Sequence, residues 1–154
     1  MRLSESHPLP VPLADAWAAL NDLQVLREAL PGCESLLEIA PDEFVGEMAV
    51  PLGPATSRFT IYVHRRDIEA PHRCTLRFET RTAAAAGTGS AAMALTPDGD
   101  EITTLQVDIA VEIDGLMARI GAPLIDVAAR QMAALFFERL GACAAARHAA
   151  APMP

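Results

Sequence analysis

The chain has 154 residues, the length of one ordinary domain, and 51% of them are hydrophobic. Its 20 acidic and 12 basic residues give a net charge of −8, which disfavours nucleic acid as a partner and docking on an anionic membrane through a basic patch. The first residues lack the apolar run of a signal peptide, and no window resembles a transmembrane helix, so we expect a cytoplasmic protein. The three cysteines, Cys33, Cys74 and Cys143, are widely spaced. We expect them to be buried thiols, and we expect neither a zinc site nor a disulfide framework.

The N-terminal part predicts one strand followed by two short helices. The strand covers Met1–Leu9, and the first helix begins at Leu13, directly after a proline. Asp22 is the predicted N-cap of the second helix, Leu23–Leu30, which a Pro-Gly pair ends.

Period-two alternation of apolar and polar residues dominates the middle of the chain and predicts an antiparallel sheet with one solvated face. The predicted strands are Cys33–Ile39, Phe44–Val50, Arg58–Arg66, Arg73–Arg81, Ala86–Leu95 and Thr104–Ile113. In the first of these strands, Cys33, Ser35, Leu37 and Ile39 are expected to share a face. The polar face is rich in arginine and is either simply solvated or a surface for a partner enzyme; it comprises Arg58, Arg66, Arg73, Arg77 and Arg81.

From residue 116 the period becomes helical. Gly121 and Pro123 are expected to separate a short first turn from a long amphipathic helix. The broad apolar face of that helix comprises Leu124, Ile125, Ala128, Met132, Leu135 and Phe136. We expect one domain over residues 1–148 and a frayed tail over 149–154.

These elements predict an α+β fold in which a curved antiparallel sheet of about seven strands wraps around the long C-terminal helix. With five Phe, one Trp and one Tyr, the space between sheet and helix is thinly filled, which favours a ligand cavity over the alternative of a core built from small residues. The residues expected to line this cavity are Trp17, Phe59, Ile61, Leu76, Phe78, Met93, Val107, Ile109, Leu124, Ala128, Gln131, Leu135 and Arg139. Gln131 and Arg139 either orient a ligand at the mouth or lie on the flank of the helix with their polar heads in water.

No catalytic constellation is evident. The well-defined inward runs carry no Asp, Glu or His, so we assign no catalytic residue and expect no cofactor. His64 and His72 flank one turn, but two histidines without a third ligand do not predict a metal site.

Several segments together resemble the family of the CoxG subunit of carbon monoxide dehydrogenase, within the START-like (SRPBCC, Bet v 1-like) superfamily, whose fold is the helix-grip fold. The segments that carry the resemblance are Trp17–Asp22 (WAALND), Leu30–Ser35 (LPGCES), Leu52–Ala55 (LGPA), Arg58-Phe59, Gly87–Ala91 (GTGSA), Gly121–Asp126 (GAPLID) and Phe136-Phe137. The resemblance implies a non-enzymatic accessory protein whose cavity holds a lipid or quinone-like molecule. It also implies service to a carbon monoxide dehydrogenase-type molybdenum hydroxylase complex, in maturation, membrane recruitment or electron transfer.

The resemblance leaves alternatives open. Many members carry a longer C-terminal extension than the Ala-rich stub that ends at Pro154, so membrane contact is expected at most peripherally, through the partner at the inner face. An exposed edge strand would permit a homodimer. Two other functions remain open: a small START-like enzyme such as a cyclase, and an assembly factor that uses only its surface.

Overall fold

The computed structural model describes residues 1–52, 54–81, 85–115 and 122–150. Within these ranges the predicted order of a strand, two short helices, six strands and one long helix is confirmed. The elements are β1 (Arg2–Leu9), α1 (Leu13–Leu20), α2 (Leu23–Ala29), β2 (Cys33–Ala40), β3 (Glu43–Leu52), β4 (Ala55–Glu69), β5 (Arg73–Arg81), β6 (Ala85–Pro97), β7 (Thr103–Gly115) and α3 (Ala122–Ala150). The turn predicted before the long helix lies in 116–121, outside the described residues. The helix itself continues to Ala150, two residues into the segment that was expected to fray.

The seven strands form one antiparallel sheet in the order β1-β7-β6-β5-β4-β3-β2. Residues directly opposite each other in neighbouring antiparallel strands project from the same face of the sheet. The register aligns Leu76 with Ala91, Ala91 with Ile109, and Ile109 with Leu3. Leu3 and Ala91 are buried, so this row marks the face that we call the inner face; the opposite one is the outer face.

Local sequence explains how the chain enters the sheet after α2. The Asp22 carboxylate caps α2 as predicted, accepting hydrogen bonds from the backbone amides of Gln24 at 2.9 Å and Val25 at 3.3 Å. After the helix, Gly32 has φ +76°, and a Cβ there would lie 2.0 Å from the carbonyl oxygen of Ala49. Only glycine therefore allows the close approach that starts the pairing of β2 with β3.

The helices cover the inner face unevenly. The α3 backbone makes its main sheet contacts with β1 and β3, at the two sides of the sheet, and it also packs on α1 and α2. In its C-terminal half α3 buries Phe137, Leu140 and Ala144. Of the residues predicted for this part of the apolar face, Phe136 is half-buried and packs against the same cluster, whereas Leu135 is exposed.

This difference in the helix has a geometric reason. Ala128 is buried as predicted, but Phe137 follows nine residues later, which at about 100° per residue is half a turn away on the opposite side. Helical periodicity indicates that a helix has an apolar side, but the neighbours decide which side is covered at each point along its length.

The predicted shared face of β2 is wrong. Leu36 is buried, whereas Leu37 is 54% and Ile39 is 59% exposed. The pairing of β2 with β3 shifts between Cys33 and Ser35 and again between Glu38 and Ala40. Each irregularity offsets the alternation of side chains, so an unbroken period of two does not hold along this strand.

Candidate ligand-binding site

The inner face of the sheet has two ends that differ in burial. One of them, the packed end, comprises Leu9, Leu95, Thr103 and Leu105, each of which is at most 3% exposed. The three leucines belong to one apolar cluster with side chains of α1, α2 and the C-terminal half of α3. The Thr103 hydroxyl, the buried polar group at this end, donates a hydrogen bond of 2.9 Å to the carbonyl of Val11. This end is a buried core whose polar group is hydrogen-bonded.

The other end, the open end, comprises Phe59, Ile61, Val63, Phe78 and Val111, whose side chains are all only half-buried. The register places them on the inner face, because Val63 lies opposite Phe78, and Gly89 lies opposite both Phe78 and Val111. Inward apolar side chains that remain accessible to solvent are the wall that a pocket for an apolar molecule requires.

Phe78 owes its position to a glycine on the neighbouring strand. A Cβ at Gly89 would lie 2.7 Å from the Phe78 ring and 2.6 Å from the carbonyl oxygen of Ala110. The ring of Phe78 therefore lies directly against the backbone of β6. The result is a flat aromatic wall at the open end.

The structure brings most of the predicted lining residues to the inner face, with three degrees of burial. Met93, Val107 and Ala128 are buried. Trp17, Phe59, Ile61, Leu76, Phe78 and Ile109 are half-buried. Gln131, Leu135 and Arg139 are exposed. Leu124 belongs to α3, but its side chain lies outside the described residues.

The exposed members form a stripe along α3. Gln131, Leu135 and Arg139 follow one another at four-residue spacing, and Leu135 is 40% exposed. The stripe continues one step toward the N-terminus with Val127, which is 51% exposed. Two apolar side chains on an exposed helix stripe fit the border of an opening, although no hydrogen bond among the described side chains joins this stripe to the open end.

Sequence analysis missed two ionisable residues on the inner face. Glu5 lies opposite Val107, and His7 lies opposite Leu105, so both project inward from β1. His7 stacks on Phe137 of α3 with ring centroids 4.1 Å apart, and its Nε2 lies 3.8 Å from a Glu5 carboxylate oxygen. The expectation that the inward strand faces carry no Glu or His is therefore wrong for β1. Leu3 and Leu9 share the period-two positions of Glu5 and His7, and this shared face was the signal that could have found them.

Arg65 is a third inward polar residue that sequence analysis passed over. It lies opposite Leu76, and its guanidinium donates to the Asp42 carboxylate at 2.7 and 3.0 Å and also to the Asn21 side chain. Its charge also lies 5.9 Å from the centre of the Phe44 ring. With these partners Arg65 links the β3 side of the sheet to the junction between α1 and α2, and its role is structural.

The three thiols resist ionisation. Burial raises the pKa of Cys74 above its ordinary value, although the Arg65 charge acts in the opposite direction. Burial also raises the pKa of Cys33 and of Cys143, and a hydrogen bond to Glu28 adds to the effect at Cys143. All three are free thiols; Cys74 is buried, as predicted, whereas Cys33 and Cys143 are half-buried.

Within the described ranges, no three His, Cys, Asp or Glu side chains gather closely enough to hold a metal ion. None of the described helices is long and apolar enough to cross a membrane. The site is thus an accessible apolar wall at the open end, whereas the Glu5–His7 pair lies on β1, with His7 at the packed end.

A curved antiparallel sheet around a long C-terminal helix, with an apolar inner face, defines the helix-grip fold. Solved structures agree. A conserved protein from Geobacillus kaustophilus matches with a TM-score of 0.88 at 22% identity, covering 94% of this chain and 95% of that one. A START superfamily protein from Mycobacterium smegmatis gives a TM-score of 0.73 at 12% identity, covering 93% and 96%. The Zhui aromatase/cyclase from Streptomyces sp. R1128 gives 0.68 at 13% identity, covering 96% and 94%.

The sequence itself identifies the family. The family model for the CoxG subunit of carbon monoxide dehydrogenase matches residues 8–144. No curated protein shows a significant match. The chain therefore belongs to the CoxG family, as the resemblance indicated.

Proposed function

We propose that this protein is a non-enzymatic accessory protein that binds a hydrophobic small molecule at the open end of its inner face and serves a carbon monoxide dehydrogenase-type molybdenum hydroxylase. The observation that carries the proposal is the half-buried apolar wall formed by Phe59, Ile61, Val63 and Phe78. Membership of the CoxG family supports the partner.

The chemistry of the wall favours a ligand with a flat or chain-like apolar body, of the lipid or quinone type. The Phe78 ring offers an aromatic face against which a planar ring can stack. The side chains beside it are apolar, apart from Thr80, whose hydroxyl donates a hydrogen bond of 3.5 Å to the carbonyl of Gly87. For a polar head group on the ligand we propose Gln131 as the partner, because it is exposed on the N-terminal half of α3. The protein would work in the cytoplasm and approach the membrane through its partner.

Two variants on adjacent positions of β4 test the binding site. Ile61→Trp fills the open end, whereas Thr60→Trp adds the same side chain on the outer face. Bound ligand is detected by native mass spectrometry of protein purified from its own host. For the wild-type protein, binding of added quinones is also followed by quenching of Trp17 fluorescence; the two variants contain a second tryptophan and are therefore compared by mass spectrometry alone. We expect Ile61→Trp to lose bound ligand and Thr60→Trp to retain it. Equal retention by both, or wild-type protein that binds no lipid or quinone, would contradict the proposal.

The partner needs a separate experiment. The hydroxylase and the wild-type protein are co-expressed and co-purified, and the same is done with Ile61→Trp. Loss of activity or membrane recruitment of the hydroxylase with Ile61→Trp, at unchanged co-purification, supports a function that depends on the ligand. Unchanged activity with the filled open end would favour the assembly factor that uses only its surface.

A second candidate, a START-like enzyme, is favoured by one observation. Glu5 and His7 form an acid–base pair on the inner face, and the Zhui aromatase/cyclase shares the fold. General acid–base catalysis would require this pair to reach a substrate, but His7 is engaged by Phe137. Turnover of a candidate cyclase substrate that Glu5→Gln and His7→Gln both abolish, at unchanged thermal stability, would establish the enzyme. A compound that binds and is released unchanged would exclude enzymatic activity on that compound.

A further inference from the structure

A concave feature lies on the outer face, on the opposite side of the strands from the proposed ligand site. Two grooves, of about 530 Å³ and about 410 Å³, share Arg77, Thr88 and Gly89 and therefore form one trough. The trough runs from Phe44 of β3 across the sheet to the start of β1 at Met1. Its floor is backbone, because the side chains of the strand residues between its two walls point to the inner face.

The two walls differ in charge. One wall is a cross-strand row in which His64 lies opposite Arg77, and the row continues across β6 and β7 to Arg2. Arg66 joins this wall through a hydrogen bond of 3.3 Å from its Nε to His64 Nδ1. We call it the basic wall, although Glu43 ends it on β3. The other wall carries Tyr62, Glu79, Thr88 and Glu112.

The arginines of the basic wall lack the carboxylate partners that six other described arginines have. Carboxylates lie within 4.0 Å of Arg58, Arg65, Arg73, Arg81, Arg130 and Arg147. Among the described residues, no carboxylate lies that close to Arg2, Arg66 or Arg77. Three guanidinium groups without an internal partner therefore line the same trough, where they can donate paired hydrogen bonds to an incoming carboxylate.

We propose that this trough binds an extended, acidic segment of a partner protein. The distance between Arg77 and Arg2 supports an extended peptide. Between Arg77 on β5 and Arg2 on β1 lie three strand separations, or about 14 Å. An extended peptide advances about 3.3 Å per residue, and residues an even number apart project to one side. Two acidic side chains four residues apart would therefore reach Arg77 and Arg2 together.

Other occupants fit less well. A small anion needs one arginine and leaves the rest of the trough empty. A nucleic acid or an anionic bilayer would meet the glutamates of the second wall and a protein of net charge −8. A segment that alternates acidic side chains with neutral or basic ones places each kind against the matching wall.

A synthetic seven-residue peptide, blocked at both ends, tests the proposal without any requirement for the proposed ligand or hydroxylase. It carries glutamate at its second and sixth positions and threonine elsewhere. One control peptide has glutamine at both positions, and another has its two glutamates adjacent. Binding is measured by shifts of the backbone amide resonances of Val63, Phe78 and Gly89 during titration.

We expect the first peptide to bind and to shift these floor resonances, and both control peptides to bind at least about tenfold more weakly. Arg77→Glu should weaken binding by at least about tenfold, and Arg77→Gln by less. Arg73→Glu makes the same charge change on the outer face but outside the trough, where Arg73 pairs with Glu69 at 3.0 Å; its affinity should stay within about twofold of wild type.

The proposal is overturned if the first peptide fails to bind at millimolar concentration, if the adjacent-glutamate peptide binds equally well, or if Arg77→Glu and Arg73→Glu have the same effect. Thermal unfolding of each variant checks that the sheet is intact; the milder Arg77→Gln decides the matter if Arg77→Glu does not fold. Binding of anionic vesicles that depends on Arg77, without binding of the peptide, would assign the trough to a lipid surface and also overturn the proposal.

Discussion

The packed end and the open end of the inner face belong to the same seven strands and use similar apolar residues, yet one is a core and the other an accessible wall. Leu105 is completely buried, whereas Ile61 is half-buried. Their difference lies in what covers them: α1, α2 and the C-terminal half of α3 pack against the packed end. Apolar strand residues alone therefore do not distinguish a core from a binding wall, and the placement of the covering helices does.

The two ends contribute differently to the stability of the domain. The packed end supplies the burial that stabilises the domain, since a fully buried leucine is worth about 1.5–3 kcal/mol relative to an exposed one. The open end forgoes part of that stabilisation. Variants at the two ends, and at the junction that holds the covering helices, test this division, beginning with the largest effect.

Removing a large side chain should cost much more at the packed end. Leu105→Ala leaves a cavity in a closed cluster and should lower the free energy of unfolding by about 2–5 kcal/mol. Ile61→Ala at the open end should lower it by about 1 kcal/mol, because solvent already reaches that position. Urea unfolding of both variants measures the difference. Equal losses would show that the open end is as tightly packed as the core.

Removing a threonine hydroxyl should likewise cost more stability at the packed end than at the open end. Thr103→Val removes the buried donor to the Val11 carbonyl and should cost about 1–3 kcal/mol, because that carbonyl stays buried without its partner. Thr80→Val removes a longer, half-buried contact of 3.5 Å and should change stability by less than about 0.5 kcal/mol. Denaturation midpoints compare them; a larger loss for Thr80→Val would reverse the assignment of the two ends.

Asp22 holds the covering helices in place, through the cap of α2 and an ion pair with Arg147 of α3. Asp22→Ala removes both the cap and the ion pair and should cost about 1–2 kcal/mol, whereas Asp22→Asn keeps the cap and should cost only the exposed ion pair, about 0.2–1 kcal/mol. Unfolding curves in urea at neutral pH compare the two variants. A loss as large for Asp22→Asn as for Asp22→Ala would show that the ion pair, and not the cap, stabilises this junction.

The pKa of Asp22 leads to a prediction about stability at low pH. Partial burial raises the pKa of Asp22, but hydrogen bonds from Val25, Gln24 and Arg147 together with the Arg147 charge outweigh it, so the pKa lies below its ordinary value of 3.8. Its stabilisation is therefore complete above about pH 4 and is lost as the pH falls through the folded-state pKa. The difference in unfolding free energy between wild type and Asp22→Asn should shrink over that range. A difference that stays constant with pH would show that the ionised Asp22 carboxylate is not the source of this stabilisation.

The smallest effect concerns the thiols. Burial raises the pKa of Cys74 above 9.0, so the protonated form is favoured by folding; that contribution is present below pH 9 and is lost as the pH rises through the folded-state pKa. At pH 8 a disulfide reagent should react with Cys74 only on unfolding, and sooner with the half-buried Cys143. Reaction of single-cysteine variants measures the order. Rapid reaction of Cys74 in the native protein would show that the packed end opens readily.

Some features followed from the sequence and others did not, for identifiable reasons. The cap at Asp22 and the alternation of Phe59, Ile61 and Val63 are local, and the structure has both. The shared face of β2 did not hold, because bulges around Leu36 break the alternation. Glu5 and His7 were passed over, although Leu3 and Leu9 fix the inward face of β1. The side that α3 buries at Phe137 depends on neighbours far away in the chain.

The sequence by itself determined the elements, their order and the family, because capping, periodicity and turn residues act over a few positions. Tertiary structure alone decided which apolar residues are core and which form a wall, because burial depends on the covering element and not on the residue. It also decided that Arg2, Arg66 and Arg77, on three different strands, line one trough. Their alignment depends on the register of five strands, and no local pattern in the chain encodes a distance across a sheet.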